Sequence, residues 1–143
     1  MVKLKTSTRI ALYAIFELGR RPDELLTAAE LAQRYRVSQH HAAKVLQQMA
    51  RAGLARSVRG VGGGFQIARD PREITMFDVV SIFDPPTAPA GKTDSESAEE
   101  SSSDPASLGK LQVGNVLAEV EEQAFYTLRS ISVATLIAPR RLQ

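Results

Sequence analysis

Between Thr8 and Leu18 the apolar residues Ile10, Ala11, Ala14, Ile15 and Leu18 share one face of a 3.6-residue period, which predicts a first helix. Gly19 and Pro22 read as its stop. Thr27, with Glu30 three residues on, has the form of a capping box and opens a second helix with Ala28, Leu31 and Ala32 inward. Val37 falls in a short turn. Ser38 then caps a third helix whose inner face is Ala42, Val45, Leu46 and Met49. Helix, short turn, helix is the helix-turn-helix pattern.

The period changes at Gly53. Residues 54–68 read as a strand-like run, a basic glycine turn (Arg59-Gly60-Val61-Gly62-Gly63-Gly64) and a second strand-like run, the wing of a winged helix. Two arginines beside a slim tip suit a duplex groove, where phosphates attract cations. Asp70-Pro71 breaks the chain. Thr75, with Asp78 three residues on, opens a fourth helix carrying Met76, Val79, Val80 and Phe83.

After Asp84-Pro85-Pro86 the pattern lapses. Residues up to 107 are Pro, Ser, Ala and acids with almost no large apolar side chain, which predicts a mobile loop. Helical spacing resumes from Leu108 to Ser130 with Leu111, Val113, Val116, Leu117, Val120, Ala124 and Leu128. Its stripe is longer than three short helices can cover, so a dimerisation helix is expected; the alternative is a helix packed wholly within its own subunit. Ser132 caps a last short helix from Val133 to Ile137, and Pro139-Arg140-Arg141 reads as a frayed tail. The expected fold is mainly α with a small β-hairpin. It divides into a winged helix-turn-helix DNA-binding domain over 1–83, a flexible effector loop over 84–107, and a dimerisation helix with a short C-terminal helix over 108–143.

Composition adds direction. The chain has 143 residues, enough for one domain with an appendage, and 43% apolar residues, enough for a core. No run of about 18 apolar residues occurs, so no membrane span is expected. The amino terminus lacks a small-residue cleavage site, so no signal peptide and a cytoplasmic location are expected. The net charge of +2 hides an asymmetry. Residues 1–72 carry 13 Lys or Arg against 5 Asp or Glu, a balance of +8, whereas residues 85–105 carry 1 Lys against 5 acids, a balance of −4. A basic half carrying a wing is the footprint of a nucleic-acid binder; the plain alternative is solubilising surface charge. No nucleophile–base pair or metal spacing is evident, and Gly60 to Gly64 lacks the Lys-Ser/Thr of a phosphate loop, so an enzyme is not expected.

Several strings, taken in order, resemble one family. They are Arg9-Ile10-Ala11-Leu12-Tyr13-Ala14, Ala29-Glu30-Leu31-Ala32, Val37-Ser38, the run from Arg51-Ala52-Gly53-Leu54 through Gly62-Gly63-Gly64-Phe65, Glu73-Ile74-Thr75-Met76-Phe77-Asp78-Val79-Val80, and Ser132-Val133-Ala134-Thr135-Leu136. Together they resemble the Rrf-two family of bacterial winged-helix regulators, with its IscR-like, NsrR-like and RirA-like branches. The resemblance implies a homodimer on an imperfect palindrome of double-stranded DNA, usually as a repressor. The third helix would enter the major groove by its first turns, making Ser38, Gln39, His40, His41 and Lys44 candidate readers. Either histidine could instead be a partly buried spacer. Two adjacent histidines diverge by about 100° on a helix, so they make no metal site. Arg59 matches the wing arginine that the family inserts into the minor groove. Arg56 and Ser57 would hold phosphates, and Gly60 would allow close approach.

The resemblance also implies an iron–sulfur cluster held by three cysteines spaced C-x5-C-x5-C. This chain has no cysteine. Ser95, Ser101 and Ser107 stand at S-x5-S-x5-S in that loop, and a neutral hydroxyl is a poor ligand for such iron. They read as former cluster-cysteine positions, in a chain with no cofactor as it stands; with six serines from Ser95 to Ser107, coincidence is the alternative. Fourth-ligand positions are also altered: Lys110 stands for the IscR-like histidine and Thr8 for the NsrR-like aspartate. The expected function is a DNA-binding regulator of the iron–sulfur, redox or nitric-oxide-sensing type. One alternative is a regulator sensing a small organic ligand between the first and long helices, near Tyr13, Phe16 and Tyr126. Another is a winged-helix protein–protein module.

Overall fold

The computed structural model describes residues 4–86 and 106–138. Eight elements follow in order: α1 (Thr6–Arg20), α2 (Ala28–Tyr35), α3 (Gln39–Arg51), β1 (Ala55–Val58), β2 (Gly64–Ile67), α4 (Met76–Phe83), α5 (Ser107–Ser130) and α6 (Val133–Ile137). The sequence-predicted caps hold four of these helices. Thr27 Oγ1 accepts from the Glu30 amide at 3.1 Å, Ser38 Oγ from the His41 amide at 3.3 Å, and Ser132 Oγ from the Thr135 amide at 3.2 Å. At α4 the box closes from both sides: Thr75 Oγ1 accepts from the Asp78 amide while the Asp78 carboxylate accepts from the Thr75 amide. Each cap gives a partner to an amide that the helix leaves unpaired, which contributes about 1 kcal/mol.

Helix periodicity and burial agree. Ile10, Ala11, Ala14, Ile15 and Leu18 of α1, Leu31 of α2, and Ala42, Val45, Leu46 and Met49 of α3 are sealed in one core with Val79 of α4. The turn from α2 to α3 is made by Arg36 in the left-handed region (φ 55°), after which the Val37 amide donates to Ala32 O at 3.1 Å. β1 and β2 pair antiparallel, from Ala55 opposite Ile67 to Val58 opposite Gly64. Leu26 extends this sheet by a bridge to Phe65, with backbone bonds of 2.7 and 2.8 Å. The hairpin is thereby fastened to the segment between α1 and α2.

One sequence expectation changes, and one packing relation is added to it. Gly19 does not stop α1; it lies inside the helix and is buried. A Cβ there would stand 3.0 Å from Val133 Cγ1, so glycine serves the close approach of α1 to α6. The helix runs on to Arg20 and ends before Pro22. Second, α6 packs on α1 and adds Val133 to the main core, although in sequence it adjoins the long helix. Its position is set by backbone bonds from the Val133 amide to Ile74 O (2.7 Å) and from the Met76 amide to Ile131 O (2.8 Å).

α5 is attached near its carboxyl end. Phe125 is buried and meets Phe77 of α4 edge-on, with ring centroids 5.5 Å apart, and the Arg129 guanidinium lies 4.1 Å from the Phe77 ring centre. The amino-terminal turns leave Leu108, Leu111, Val113, Val116, Leu117 and Val120 exposed, each at 49–64%. Among the described residues no helix is long and apolar enough to cross a membrane. Most of the 84–107 loop and the Pro139-Arg140-Arg141 tail lie outside the described residues.

Candidate nucleic-acid interface

Burying Ala42, Val45, Leu46 and Met49 leaves the opposite side of α3 to solvent. Ser38, Gln39, His40 and Lys44 are all exposed. Gln47 and Arg51, which sequence reasoning missed, are exposed as well and continue the His40–Lys44 face at helical spacing. The signal was available: 40, 44, 47 and 51 are one i, i+4, i+7, i+11 stripe. The first turn of α3 carries no acidic residue, so the positive end of the helix dipole is uncompensated. His41 is different. It is half-buried, and its Nε2 lies 2.9 Å from Ser7 Oγ, which ties α3 to the first turn of α1.

α3 leads through Gly53 (φ 81°) directly into the hairpin. The hairpin tip depends on glycine. Gly60 and Gly62 have φ of 106° and 76°, and a Cβ on Gly63 would sit 2.3 Å from Val58 O. The tip is closed by the Gly63 amide donating to Gly60 O at 3.0 Å. Arg59 and Ser57 are exposed. Arg56 donates across the hairpin to Gln66 Oε1 at 3.0 Å, and Gln66 Nε2 donates to Pro22 O at 2.9 Å. The Arg56 guanidinium is thus pre-oriented, while Arg59 projects beyond the strand pair.

An ionic network around one buried carboxylate joins α1 to α2. Glu17 is only 4% exposed and accepts from the Tyr35 hydroxyl at 2.6 Å, from Arg20 at 3.1 Å and from Arg34. Burial pushes its carboxyl up, but the Tyr35 hydrogen bond and the Arg34 and Arg20 charges outweigh this and hold it below the usual carboxylate range. Burial, then the Glu17 carboxylate, pushes the Tyr35 phenol up to about 12. Because Glu17 is on α1 and Arg34 and Tyr35 are on α2, the network fixes α2 against the core. Tyr13 stacks on Tyr35 at 4.4 Å, and Tyr126 is 69% exposed on α5. Of the three aromatics that the sequence offers for an organic ligand, Tyr13 is stacked on Tyr35, Phe16 lies under the Arg20 guanidinium at 5.5 Å, and Tyr126 is exposed.

The residues that stand at cluster positions show other chemistry. Thr8 is fully buried and donates its hydroxyl to Asp84 Oδ2, an oxygen that also accepts from the Lys5 amide at 3.1 Å. Lys5 Nζ donates to Phe83 O at 2.9 Å, so the end of α4 is clasped to the start of α1. Ser107 is the first residue of α5, and Ser95 and Ser101 lie outside the described residues. An iron–sulfur cluster is held by thiolates, the chain has none, and the Thr8 hydroxyl is engaged elsewhere. These residues do not fit a cluster. Among the described residues no group of three His, Cys, Asp or Glu is placed to hold a metal ion.

A family model, Rrf2, described as an iron-dependent transcriptional regulator, matches residues 4–139. The chain is 35% identical over 136 residues to a protein named "Putative HTH-type transcriptional regulator BadM" of Rhodopseudomonas palustris, covering 95% of this chain and 81% of that one. It is 35% identical over 66 residues to the HTH-type transcriptional regulator NsrR of Bacillus subtilis, covering 46% of this chain and 45% of that one. In three dimensions it is similar to CymR, titled the global cysteine regulator of B. subtilis, with a TM-score of 0.74 at 20% identity over 99% of this chain and all of that one. It is similar also to IscR of T. potens, with a TM-score of 0.71 at 22% identity over 99% and 94%. These two structures establish the winged-helix fold, and the sequence matches establish the kinship. The chain belongs to the Rrf2 family of DNA-binding transcriptional regulators, proteins that control transcription and are not enzymes.

Proposed function

We propose that the protein acts as a homodimer on an imperfect palindrome, with α3 in the major groove of each half-site and the wing in the adjacent minor groove, as a repressor. The observation that carries this reading is the exposed polar face of α3 running directly into a glycine-built hairpin that presents Arg59. In it, Gln39, His40 and Lys44 face base edges, Ser38 caps α3 and meets a phosphate, and His41 sets the angle of α3 through Ser7. Arg56 and Ser57 hold backbone phosphates, Gly60 gives the wing its close approach, and Arg59 enters the minor groove. The exposed stripe of α5, from Leu108 to Val120, supports the dimer.

The test is binding to duplexes selected from a random pool, measured across a salt series. Affinity should fall steeply with salt, because several Lys and Arg displace counterions. Arg59→Ala should cost about 1–3 kcal/mol on the selected site. Salt-insensitive binding to a protein partner, with Arg59 dispensable, would favour a protein–protein module instead.

For the sensing type, the reading is an iron–sulfur, redox or nitric-oxide regulator whose cluster ligands are replaced by Ser95, Ser101 and Ser107. The triple change Ser95→Cys, Ser101→Cys, Ser107→Cys, purified without oxygen, should then bind iron and sulfide where the parent does not. A colourless, iron-free variant would make the serine spacing accidental.

A further inference from the structure

The wing carries one residue that its architecture does not need. Val61 stands at the tip between Gly60 and Gly62 and is exposed at 111% of the reference value, above every other large exposed apolar side chain described. The turn explains the glycines around it: two require left-handed backbone, and Gly63 must pass close to Val58 O. Nothing in the turn asks for a β-branched apolar residue at 61. A Cβ on Gly60 or Gly62 would meet nothing within 4 Å, so the tip is bare on both sides of the valine. Single exposed apolar side chains are common on protein surfaces. This one, however, is fully exposed in the turn of the wing, two residues after Arg59.

We infer that Val61 is a specificity-determining residue that selects A·T over G·C pairs beneath the wing tip. The inference rests on the proposal that the wing enters the minor groove. The floor of that groove presents only acceptors at an A·T pair, whereas a G·C pair adds the guanine N2 amino group, a donor standing up from the floor. An isopropyl group pressed on that floor offers no acceptor. It would cover the amino group and strip it of water without replacing the hydrogen bond, a cost that an A·T pair does not incur. Arg59 supplies attraction, and Val61 supplies rejection of the wrong pair.

The experiment uses the full chain and the duplex selected above, with the pairs under the wing located by footprinting. Each is replaced by G·C or by I·C, which has the major-groove face of G·C but lacks the N2 amino group. G·C should weaken binding about tenfold and I·C less than about twofold. Val61→Asn, whose amide oxygen accepts from the N2 amino group, should reduce the G·C penalty to about twofold or less, and Val61→Ala should reduce it in part. The tip is bare, so both variants should unfold at the parent temperature. Equal penalties for G·C and I·C, or a G·C penalty that survives in Val61→Asn, would overturn the assignment. The second result would leave the preference to Arg59 and groove width. If Arg59→Ala and both Val61 variants bind as the parent does, the wing is not in the groove, and the underlying proposal fails rather than this refinement.

Discussion

The winged-helix body and the long helix α5 have the same kind of apolar periodicity and opposite fates. In the body nearly every predicted inward residue is sealed: Ile10, Ile15, Leu46 and Met49 are at most 1% exposed. In α5 the predicted stripe is open from Leu108 to Val120, and the helix touches the body chiefly through Phe125 and its neighbours. A hydrophobic period therefore states that a face must be covered. It does not state whether the same chain covers it.

That contrast can be broken at several strengths. The largest effect is expected in the body, where Leu46→Ala should lower the free energy of unfolding by about 2–5 kcal/mol in denaturant titration. An unchanged midpoint would remove Leu46 from the core. On α5, where the proposed dimer rests, the paired change Val116→Glu, Val120→Glu should leave body unfolding intact, yet convert the protein to monomers in sedimentation velocity. DNA affinity should drop about 100-fold as the second half-site loses its tethered reader. A double variant that stays dimeric would move the interface elsewhere. Thr75→Ala should cost about 1 kcal/mol, because it opens the two-sided box that starts α4.

The gentlest handle is pH, and it reads the contact between Glu17 and Tyr35. Glu17 binds its proton less readily in the fold than in the unfolded chain. Its contribution is complete above the unfolded value near 4.5 and is lost as pH falls through the lower folded value. Tyr35 works in the other direction: its contribution is complete below pH 10 and is lost as pH rises towards about 12. Thermal unfolding followed against pH should show both flanks. Glu17→Gln should remove the acid one, and persistence of that flank would place it on other carboxylates.

The legible parts of the fold were those set by local chemistry. Thr27, Ser38, Thr75 and Ser132 each cap a neighbouring amide, so the helix starts were readable from short strings. The turn glycines marked the hairpin for the same reason. What stayed hidden depends on partners far along the chain. Glu17 looks like a surface acid until α2 brings Arg34 and Tyr35 to it. Gly19 looks like a helix stop until Val133 arrives against it. Phe125 carries the attachment of α5, yet it lies off the stripe that the sequence emphasises. At the candidate interface, the α3 stripe and the wing arginines were readable, whereas the tether from His41 to Ser7 was not, because it joins residues 34 positions apart.

The seat of α6 on α1 has a consequence in time. Chains emerge from the ribosome amino terminus first and fold as units become complete. Here the DNA-binding body is not complete when Phe83 emerges, because Val133 fills the space left over Gly19. The nascent chain must wait for α5 to be made before its first helix is covered. A core that can close only after α6 exists is one whose synthesis delivers the hairpin and the long helix together.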